Sequence, residues 1–172
     1  SSDEATAFEL AWRSGELIGD SDKMKTNNEL AAKIAEKDSP ILLEGGFGTG
    51  KQMVARTIHN SSSRKEAPFK VLQWSALPED LLEAGLFGSI GSRGETIFSR
   101  AMGGTVLLEE IHMLPVRLQS MLETYLEEVA ERRLTGSLPI KMDVRFIASS
   151  AKKLEECVAN GKFREDLFYK IS

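Results

Sequence analysis

The sequence predicts an α/β fold with a mainly parallel sheet. Short apolar runs, typical of buried strands, alternate along the chain with longer stretches in which apolar residues recur at helical spacing. Glycine-rich or polar turns separate the two kinds of segment. Such alternation is typical of domains in which helices pack against a parallel sheet, and 172 residues suffice for one domain with its own core.

The chain before the first predicted strand is largely polar. We expect residues 1–16 to form a polar lead-in and residues 17–21 to form an apolar step into a turn. Apolar residues at helical spacing predict an amphipathic helix over 22–36. Pro40 ends this stretch, and the apolar residues 41–43 are predicted to be the first buried strand.

The other elements follow in the same alternating order. Further strands are predicted at 69–73, 105–108 and 144–148. Further helices are predicted over 51–59, after Pro78 and after Pro115, and two short helices close the chain. We expect a loop over 88–94 and a turn or hairpin over 134–141. In the long helix after Pro115, the stripe expected to face the core consists of Leu118, Met121, Leu122, Tyr125, Leu126 and Val129.

A glycine-rich turn joins the first strand to the next helix and carries the clearest functional signal. Gly45, Gly50 and Lys51 match the pattern G-x-x-x-x-G-K, in which backbone N–H groups turn inward around an anion. The start of the following helix adds its partial positive charge, and Lys51 is placed to reach the outer phosphates. Gln52 stands where a serine or threonine is usual. The flanking strand and helix favour nucleotide binding over a purely structural glycine turn.

Two carboxylates, Glu109 and Glu110, follow the third predicted strand. In nucleoside triphosphatases, one carboxylate at this place holds Mg²⁺ and its neighbour polarises the attacking water. A solvated acidic turn is the alternative, and the glycine loop favours the functional pair. Lys51, Glu109, Glu110 and Ser150 all fall at or just after predicted strand ends, where ligands of parallel sheets bind. We therefore expect these four residues at one edge of the sheet.

Composition excludes several classes of protein. The net charge is −4, whereas DNA-binding modules usually carry a basic surface. Any DNA contact is therefore expected from a separate domain. The single cysteine, Cys157, excludes an intrachain disulfide, and we expect it to be a packed or idle thiol and not a nucleophile. No apolar run approaches the ~18 residues of a membrane span, and no secretory signal is visible, so we expect a cytoplasmic protein without membrane contacts. His59 and His112 are too isolated to suggest a metal site or a catalytic pair.

Several motifs together resemble the central AAA+ domain of bacterial enhancer-binding proteins, which activate sigma-54 RNA polymerase. The resemblance runs from Leu17 to the last residue. The segments that carry it are L-I-G-x-S-x-x-M from Leu17, G-T-G-K-x-M-V-A-R-x-I-H from Gly48, A-L-P-E-x-L-L-E from Ala76, L-F-G from Leu86, G-G-T from Gly103, D-V-R from Asp143 and F-R-E-D-L-x-Y from Phe163.

This resemblance implies a three-layer α/β/α P-loop NTPase core over residues 17–172, with ATP and Mg²⁺ as ligands. It implies Glu109 as the metal ligand, Glu110 as the catalytic carboxylate, and Arg164 and Lys170 as catalytic cations that act on a neighbouring subunit. Rings of six or seven subunits, contact with RNA polymerase or a sigma factor, and a separate DNA-binding domain are expected as well. The residues expected to contact the nucleotide are Ile18, Gly19, Gly46, Phe47, Gly48, Thr49, Gly50, Lys51, Gln52 and Ser150.

The chain also departs from the family's pattern. The interval from Ser89 to Met102 is shorter than the family's and lacks the sequence GAFTGA, which grips sigma-54. Glu109 replaces the metal-site aspartate, and Ala151 replaces the sensor asparagine. Lys170 replaces an arginine, and an ammonium cannot give the planar, two-pronged contact of a guanidinium. The chain stops before the family's helical lid, so we expect it to be an excised core.

These departures leave three functions open. The first is an ATP-binding domain of a transcriptional regulator with weak or no sigma-54 remodelling. The second is an active ring-forming ATPase that remodels a transcription complex. The third is a module that responds to cyclic di-GMP, for which the candidate residues are Arg93, Arg100, Arg132, Arg133 and Arg145. Arg164 and Lys170 stand six positions apart, a spacing that puts them on different faces of a helix. A bend between them is therefore needed if both serve one site.

Overall fold

The structure is a computed structural model that describes residues 33–46, 50–72, 77–88 and 95–172. The predicted lead-in over 1–16, the apolar step over 17–21 and most of the predicted helix over 22–36 lie outside the described residues. Residues 33–35, at the end of that predicted helix, are helical. Most of the predicted loop over 88–94 also lies outside this part of the chain.

In the part of the chain that the structure describes, four strands form a parallel sheet, as predicted. They are β1 (Ile41–Glu44), β2 (Phe69–Leu72), β3 (Thr105–Leu108) and β4 (Arg145–Ser150), and their order in the sheet is β1-β4-β3-β2. Leu42 pairs with Ala148 and Leu107 pairs with Ile147, so β4 lies between β1 and β3. All residues of β3 and β4 are buried, as expected for strands that helices cover on both faces.

Helices cover the two faces of the sheet and are connected by short turns. In the described residues they are α1 (Lys51–Asn60), α2 (Glu79–Phe87), α3 (Ile97–Arg100), α4 (Val116–Thr135), α5 (Leu154–Ala159) and α6 (Glu165–Ile171). Two 3₁₀ turns span Ile111–Met113 and Ile140–Met142. No helix in the described ranges combines the length and apolar character that crossing a membrane requires.

Two separate groups of buried side chains lie on opposite faces of the sheet. Ile41 and Leu43 of β1 pack with Val54 and Ile58 of α1 on one face. Leu42 points to the other face, where the buried residues of α2 to α6 pack together. The alternation of successive side chains along a strand produces this division. Together the sheet and its two covering layers form the expected α/β/α arrangement.

The long helix α4 has the predicted apolar stripe. Leu118, Leu122, Leu126 and Val129 are buried, whereas Met121 and Tyr125 are partly buried against the same core. Cys157 of α5 is buried in this core, which confirms the prediction of a packed thiol.

The segment predicted as a turn or hairpin over 134–141 forms the turn and not the hairpin. The helix α4 continues to Thr135 and ends at Gly136, which takes a left-handed conformation at φ 70°. The N–H of Ser137 donates to the carbonyl oxygen of Arg132 at 2.9 Å, a bond typical of a glycine helix terminus. The predicted turn at Gly136 is therefore confirmed, but a 3₁₀ turn follows it in place of a second strand.

Candidate nucleotide-binding site

The four residues predicted at strand ends come together at one edge of the sheet. Lys51 begins α1 after β1, Ser150 ends β4, and Glu109 and Glu110 follow β3. These three strands are direct neighbours, and Glu44 pairs in register with Ser150. The N–H of Gly45 donates to the carbonyl oxygen of Ser150 at 3.0 Å, which joins the start of the glycine turn to the central strand.

Gly50 forms the hinge between the glycine turn and α1. Its backbone lies in the left-handed region (φ 71°, ψ 37°), which residues with a Cβ atom rarely adopt. Its carbonyl oxygen accepts hydrogen bonds from the N–H groups of Met53 at 2.9 Å and Val54 at 3.2 Å, so the turn leads directly into the helix. Phe47, Gly48 and Thr49, which complete the predicted cradle, lie outside the described residues. The predicted contacts Ile18 and Gly19 lie outside them too.

Lys51 is buried, with 9% of its surface exposed, and its ammonium folds back over the start of the turn. It donates to the carbonyl oxygens of Gly45 and, at 3.1 Å, of Gly46. An ammonium has three rotatable donors, so it can exchange such carbonyl partners for phosphate oxygens. The neighbouring Gln52 is half-buried in the first turn of α1.

Glu110 holds an unusual backbone conformation. Among the described residues it is the one non-glycine residue with a positive φ, at 53°. Its Oε2 accepts a hydrogen bond from the N–H of Ala151 at 3.2 Å and lies 3.4 Å from Nδ1 of His112. Strained backbone of this kind is found preferentially at functional sites. Glu109, the preceding residue, is half-buried at the same strand end.

Ser150 is fully buried at this edge, and its hydroxyl is held by its neighbours. The hydroxyl donates to the carbonyl oxygen of Lys152 at 2.6 Å and accepts from the N–H of Lys152 at 3.1 Å. Its third contact is Nδ1 of His112, also at 3.1 Å. These bonds use the whole capacity of a hydroxyl, so a direct contact with nucleotide requires one of them to break.

Two residues of the site were missed by sequence reasoning. His112 was given no role, although it stands only two positions after the second strand-end carboxylate. Its partial burial lowers the pKa of its imidazole, an effect that the nearby Glu110 carboxylate opposes. Glu44 was also missed: its Oε2 accepts a hydrogen bond from the N–H of Leu154 at 2.8 Å and so caps the start of α5. The sequence did contain a signal for Glu44, because this carboxylate ends an apolar strand and stands directly before the glycine turn.

The two predicted catalytic cations lie in the last segment of the chain, and the extended backbone of Arg164 (φ −72°, ψ 132°) places it outside the helical spacing that Lys170 follows. Arg164 stands at the start of α6 and Lys170 lies in its last turn. Lys170, whose side chain is 19% exposed, pairs with Glu123 at 3.0 Å and with Glu127. Arg164 pairs with Asp166 at 2.9 Å, and this hydrogen bond raises the pKa of its guanidinium. Each cation is therefore engaged with carboxylates of its own chain.

The four described arginines among those considered for cyclic di-GMP are also engaged within the chain. Arg100 pairs with Glu95, Arg132 with Glu128 and Arg133 with Asp143. Arg145 is buried and donates to the carbonyl oxygens of residues 34 and 35. Arg93 lies outside the described residues. No specific observation favours that ligand.

A magnesium ion fits the donors at this edge. Across the described residues no group of three or more histidine, cysteine, aspartate or glutamate side chains could hold a metal ion by itself. Mg²⁺ bound with a nucleotide needs only one or two carboxylates, because water and phosphate oxygens complete its shell. The Glu109 carboxylate, at the end of β3, supplies that kind of donor.

The chain matches one family model, described as the Sigma-54 interaction domain, over residues 17–172. The regulatory protein AtoC of Escherichia coli K12 is 38% identical over 173 residues, covering 96% of this chain and 38% of AtoC. A Nif-specific regulatory protein of Rhizobium leguminosarum bv. trifolii is 40% identical, covering 91% of this chain and 46% of that protein. The chain thus spans less than half the length of these two relatives.

Solved structures agree in fold. NtrX from Brucella abortus in complex with ATP superimposes with a TM-score of 0.75 at 35% identity, covering 97% of this chain and 39% of that one. The complex of the same protein with ADP gives a TM-score of 0.76 at 34% identity, covering the same shares of the two chains. The P-loop NTPase domain of a sigma-54 activator from E. coli gives 0.60 at 19% identity, covering 90% of this chain and 92% of that one, a likeness of fold alone.

Proposed function

Since this chain belongs to the sigma-54 interaction domain family of transcriptional regulators, we propose that it binds ATP with Mg²⁺ at the turn from Gly45 to Lys51 and hydrolyses the nucleotide slowly. One arrangement carries the proposal: Lys51, Ser150 and Glu110 stand at the carboxyl ends of three neighbouring parallel strands. Ligands of open parallel sheets bind at that edge. The ATP and ADP complexes of NtrX support the same ligand.

Each residue at the edge has a role in the proposal. The amides of residues 46–52 and the start of α1 cradle the phosphates, and Lys51 exchanges its carbonyl partners for phosphate oxygens. Ile18 and Gly19 contact the base, and Ser150 lies near the γ-phosphate. Glu109 would hold Mg²⁺, which would supply positive charge to neutralise the phosphates.

Glu110 is the proposed base for water. The water oxygen attacks the γ-phosphorus as the bond to the β–γ bridging oxygen breaks, and the water's proton passes to the carboxylate. The products are ADP and inorganic phosphate. Arg164 and Lys170 of a neighbouring subunit stabilise the charge that develops in this step.

The proposed slow turnover has two causes, the lysine at position 170 and the longer carboxylate at position 109. An arginine that stabilises transferring phosphate can contribute a factor of ~10³–10⁵ in rate, and Lys170 lacks the planar fork of a guanidinium. Lys170 must also leave Glu123 and Glu127 before it can reach a neighbouring nucleotide. Glu109 is one methylene longer than the aspartate that it replaces, and Mg²⁺ tolerates little distortion of its shell.

The wider role is proposed on the same basis. The domain assembles into a ring of six or seven subunits inside a longer regulator, and nucleotide binding or ring assembly acts as a switch on transcription. DNA contact comes from a separate domain, and RNA polymerase or a sigma factor is the partner. Remodelling of sigma-54 is weak or absent, because the interval between residues 89 and 102 lacks the gripping sequence.

Calorimetric titration of MgATP into a protein that contains this chain and a helical lid tests the proposal. The wild type is expected to give saturable heat. Lys51→Ala should weaken binding about tenfold to a hundredfold, because a hydrogen bond to a charged group contributes about 1.5–3 kcal/mol. Lys65→Ala, at an exposed lysine after α1, is the matched control and should bind as the wild type does. No saturable heat, or equal affinity in all three proteins, would reject ATP binding.

A further inference from the structure

The conformation of Glu110 requires support from its surroundings. A left-handed backbone at a residue other than glycine costs about 1–3 kcal/mol and persists only where neighbouring groups fix it. Both contacts of the Glu110 carboxylate fall on the same oxygen: Oε2 meets the N–H of Ala151 and Nδ1 of His112. Among the described residues, no hydrogen bond or ion pair reaches Oε1. One oxygen is therefore held and the other is left for water.

The hydrogen bonds of Ser150 identify which nitrogen of His112 carries a proton. The hydroxyl's one proton goes to the carbonyl oxygen of Lys152 at 2.6 Å, so the hydroxyl can only accept from its other two partners. The imidazole must then donate through Nδ1, which lies 3.1 Å from the Ser150 oxygen. The same N–H lies 3.4 Å from Oε2 of Glu110, so the positive end of its dipole is close to the carboxylate while its hydrogen bond goes to the serine.

We propose that His112 is a positioning residue for the Glu110 carboxylate, held in place by Ser150. The inference rests on the proposed function, because it assigns the residue that orients the base of that reaction. His112 keeps Oε2 engaged beside the Ala151 amide, and this fixes the direction in which Oε1 faces the attacking water. A base whose lone pair is fixed in direction loses less entropy on reaching the transition state than one that must first be oriented. His112 itself touches no reacting atom.

Steady-state phosphate release in the lid-containing protein tests this role. His112→Phe keeps the ring volume and removes the donor, whereas His112→Asn keeps an N–H close to the position of Nδ1. Loss of an orienting partner typically reduces activity about 10- to 100-fold, so His112→Phe should lower kcat by about tenfold or more. KM for ATP should change by less than about twofold, because His112 does not bind the nucleotide. His112→Asn should recover most of kcat.

The variant Glu110→Gln separates positioning from a general structural role. If His112 acts only through the Glu110 carboxylate, adding His112→Phe to Glu110→Gln should cause no further loss of kcat. A further tenfold loss in the double variant, or wild-type kcat in His112→Phe, would overturn the inference while Glu110→Gln alone stays slow. If the wild type is no faster than Glu110→Gln, hydrolysis itself is absent and the proposed function fails first.

Nitrogen NMR of the ¹⁵N-histidine-labelled chain gives a second readout that needs no turnover. Nδ1 of His112 should carry the proton at neutral pH, and its shift should move in Glu110→Gln because the acceptor loses its charge. His59→Gln identifies the His112 signals, since these are the two histidines of the chain. A proton on Nε2, or a His112 signal that ignores Glu110→Gln, would contradict the geometry on which the inference rests.

Discussion

At the residue scale, His59 shows how an isolated histidine gains a role from the fold. Its Nε2 lies 3.0 Å from the carbonyl oxygen of Ala67, so Nε2 carries the proton. Nδ1 then accepts from the hydroxyl of Thr105 at 2.7 Å. The buried ring thereby joins the end of α1 to the start of β3, and burial lowers the pKa of the imidazole.

This lowered pKa predicts acid sensitivity. Because the folded state resists protonation of His59, the unfolded chain binds more protons below its ordinary pKa of about 6.5. The free energy of unfolding should therefore be fully present above pH 6.5 and fall as the pH drops below that value. His59→Gln keeps the donor to Ala67 and removes the titration, so its stability should depend less on pH. Urea unfolding between pH 5 and pH 8 measures both proteins, and identical pH dependence would count against the prediction.

Residue positions at the site could be predicted only where they depend on local order along the chain. Lys51, Glu110 and Ser150 were found because each follows an apolar strand, and strand ends in a parallel sheet meet at one edge. His112 and His59 could not be found in this way. Their partners stand 38 and 46 positions away, and only the register of the strands brings them together.

At the element scale, α4 fixes the segment that leads into α6. Gln119 is fully buried in the middle of the apolar stripe, where a polar side chain needs partners. Its amide nitrogen donates to the carbonyl oxygens of Leu114 at 2.7 Å and Lys162 at 3.1 Å. Its oxygen accepts from the N–H of Arg164 at 2.8 Å. One side chain thus holds the start of the helix that carries both predicted catalytic cations.

Gln119→Leu should therefore destabilise the domain strongly. The change removes three hydrogen bonds, a buried one to the Leu114 carbonyl and partly buried ones at Lys162 and Arg164, so a loss of about 2–4 kcal/mol is expected. Thr124→Ala on the exposed side of the same helix is the control and should stay within about 0.5 kcal/mol of the wild type. Urea unfolding at constant pH compares the three proteins. A Gln119→Leu protein as stable as Thr124→Ala would show that water or relaxation satisfies these groups.

Helices and strands with a strong apolar period were predicted well. Short elements, and the exact ends of elements, were not, because they depend on capping contacts and strand pairing. The stripe in α4 and the four strands follow from repeated apolar spacing. The helix α3 was missed because it has only four residues, and its start depends on the Thr96 side chain accepting from the N–H of Ser99 at 3.1 Å. The strand β4 extends to Ser150, beyond its predicted end, because its pairing with β1 continues through Ser149 and Ser150.

At the scale of the whole molecule, the two ends of the parallel strands have different roles. The carboxyl edge carries the candidate nucleotide site, and the opposite edge carries a network of buried guanidinium groups. Arg64, with 10% of its side chain exposed, pairs with Asp143 at 2.7 Å and with Asp38 at 3.0 Å, and donates to the carbonyl oxygen of Gly103 at 2.9 Å. These partners precede β4, β1 and β3, so one side chain joins the entries of three strands.

This division predicts that stability and nucleotide binding can be separated. Arg64→Leu should cost about 2–3 kcal/mol, because its guanidinium, on a side chain only 10% exposed, loses its pairs with the half-exposed Asp38 and Asp143, and the Gly103 carbonyl loses its donor. Arg117 offers a matched control: it also pairs with two carboxylates, Glu83 at 3.0 Å and Glu79 at 3.8 Å, but its side chain is 52% exposed. Arg117→Leu should therefore cost much less than Arg64→Leu, because water screens exposed ion pairs.

Below the urea midpoint, both variants should bind MgATP with wild-type affinity, since Arg64 lies at the other end of β1 from Lys51. Equal losses of stability in the two variants would show that burial does not strengthen the Arg64 network. Weaker MgATP binding in Arg64→Leu alone, measured by titration of the folded protein, would show that the entries of the strands are coupled to the phosphate turn. The sheet would then transmit strain from the amino ends of its strands to their carboxyl ends. Mutations far from the nucleotide would in that case change its affinity.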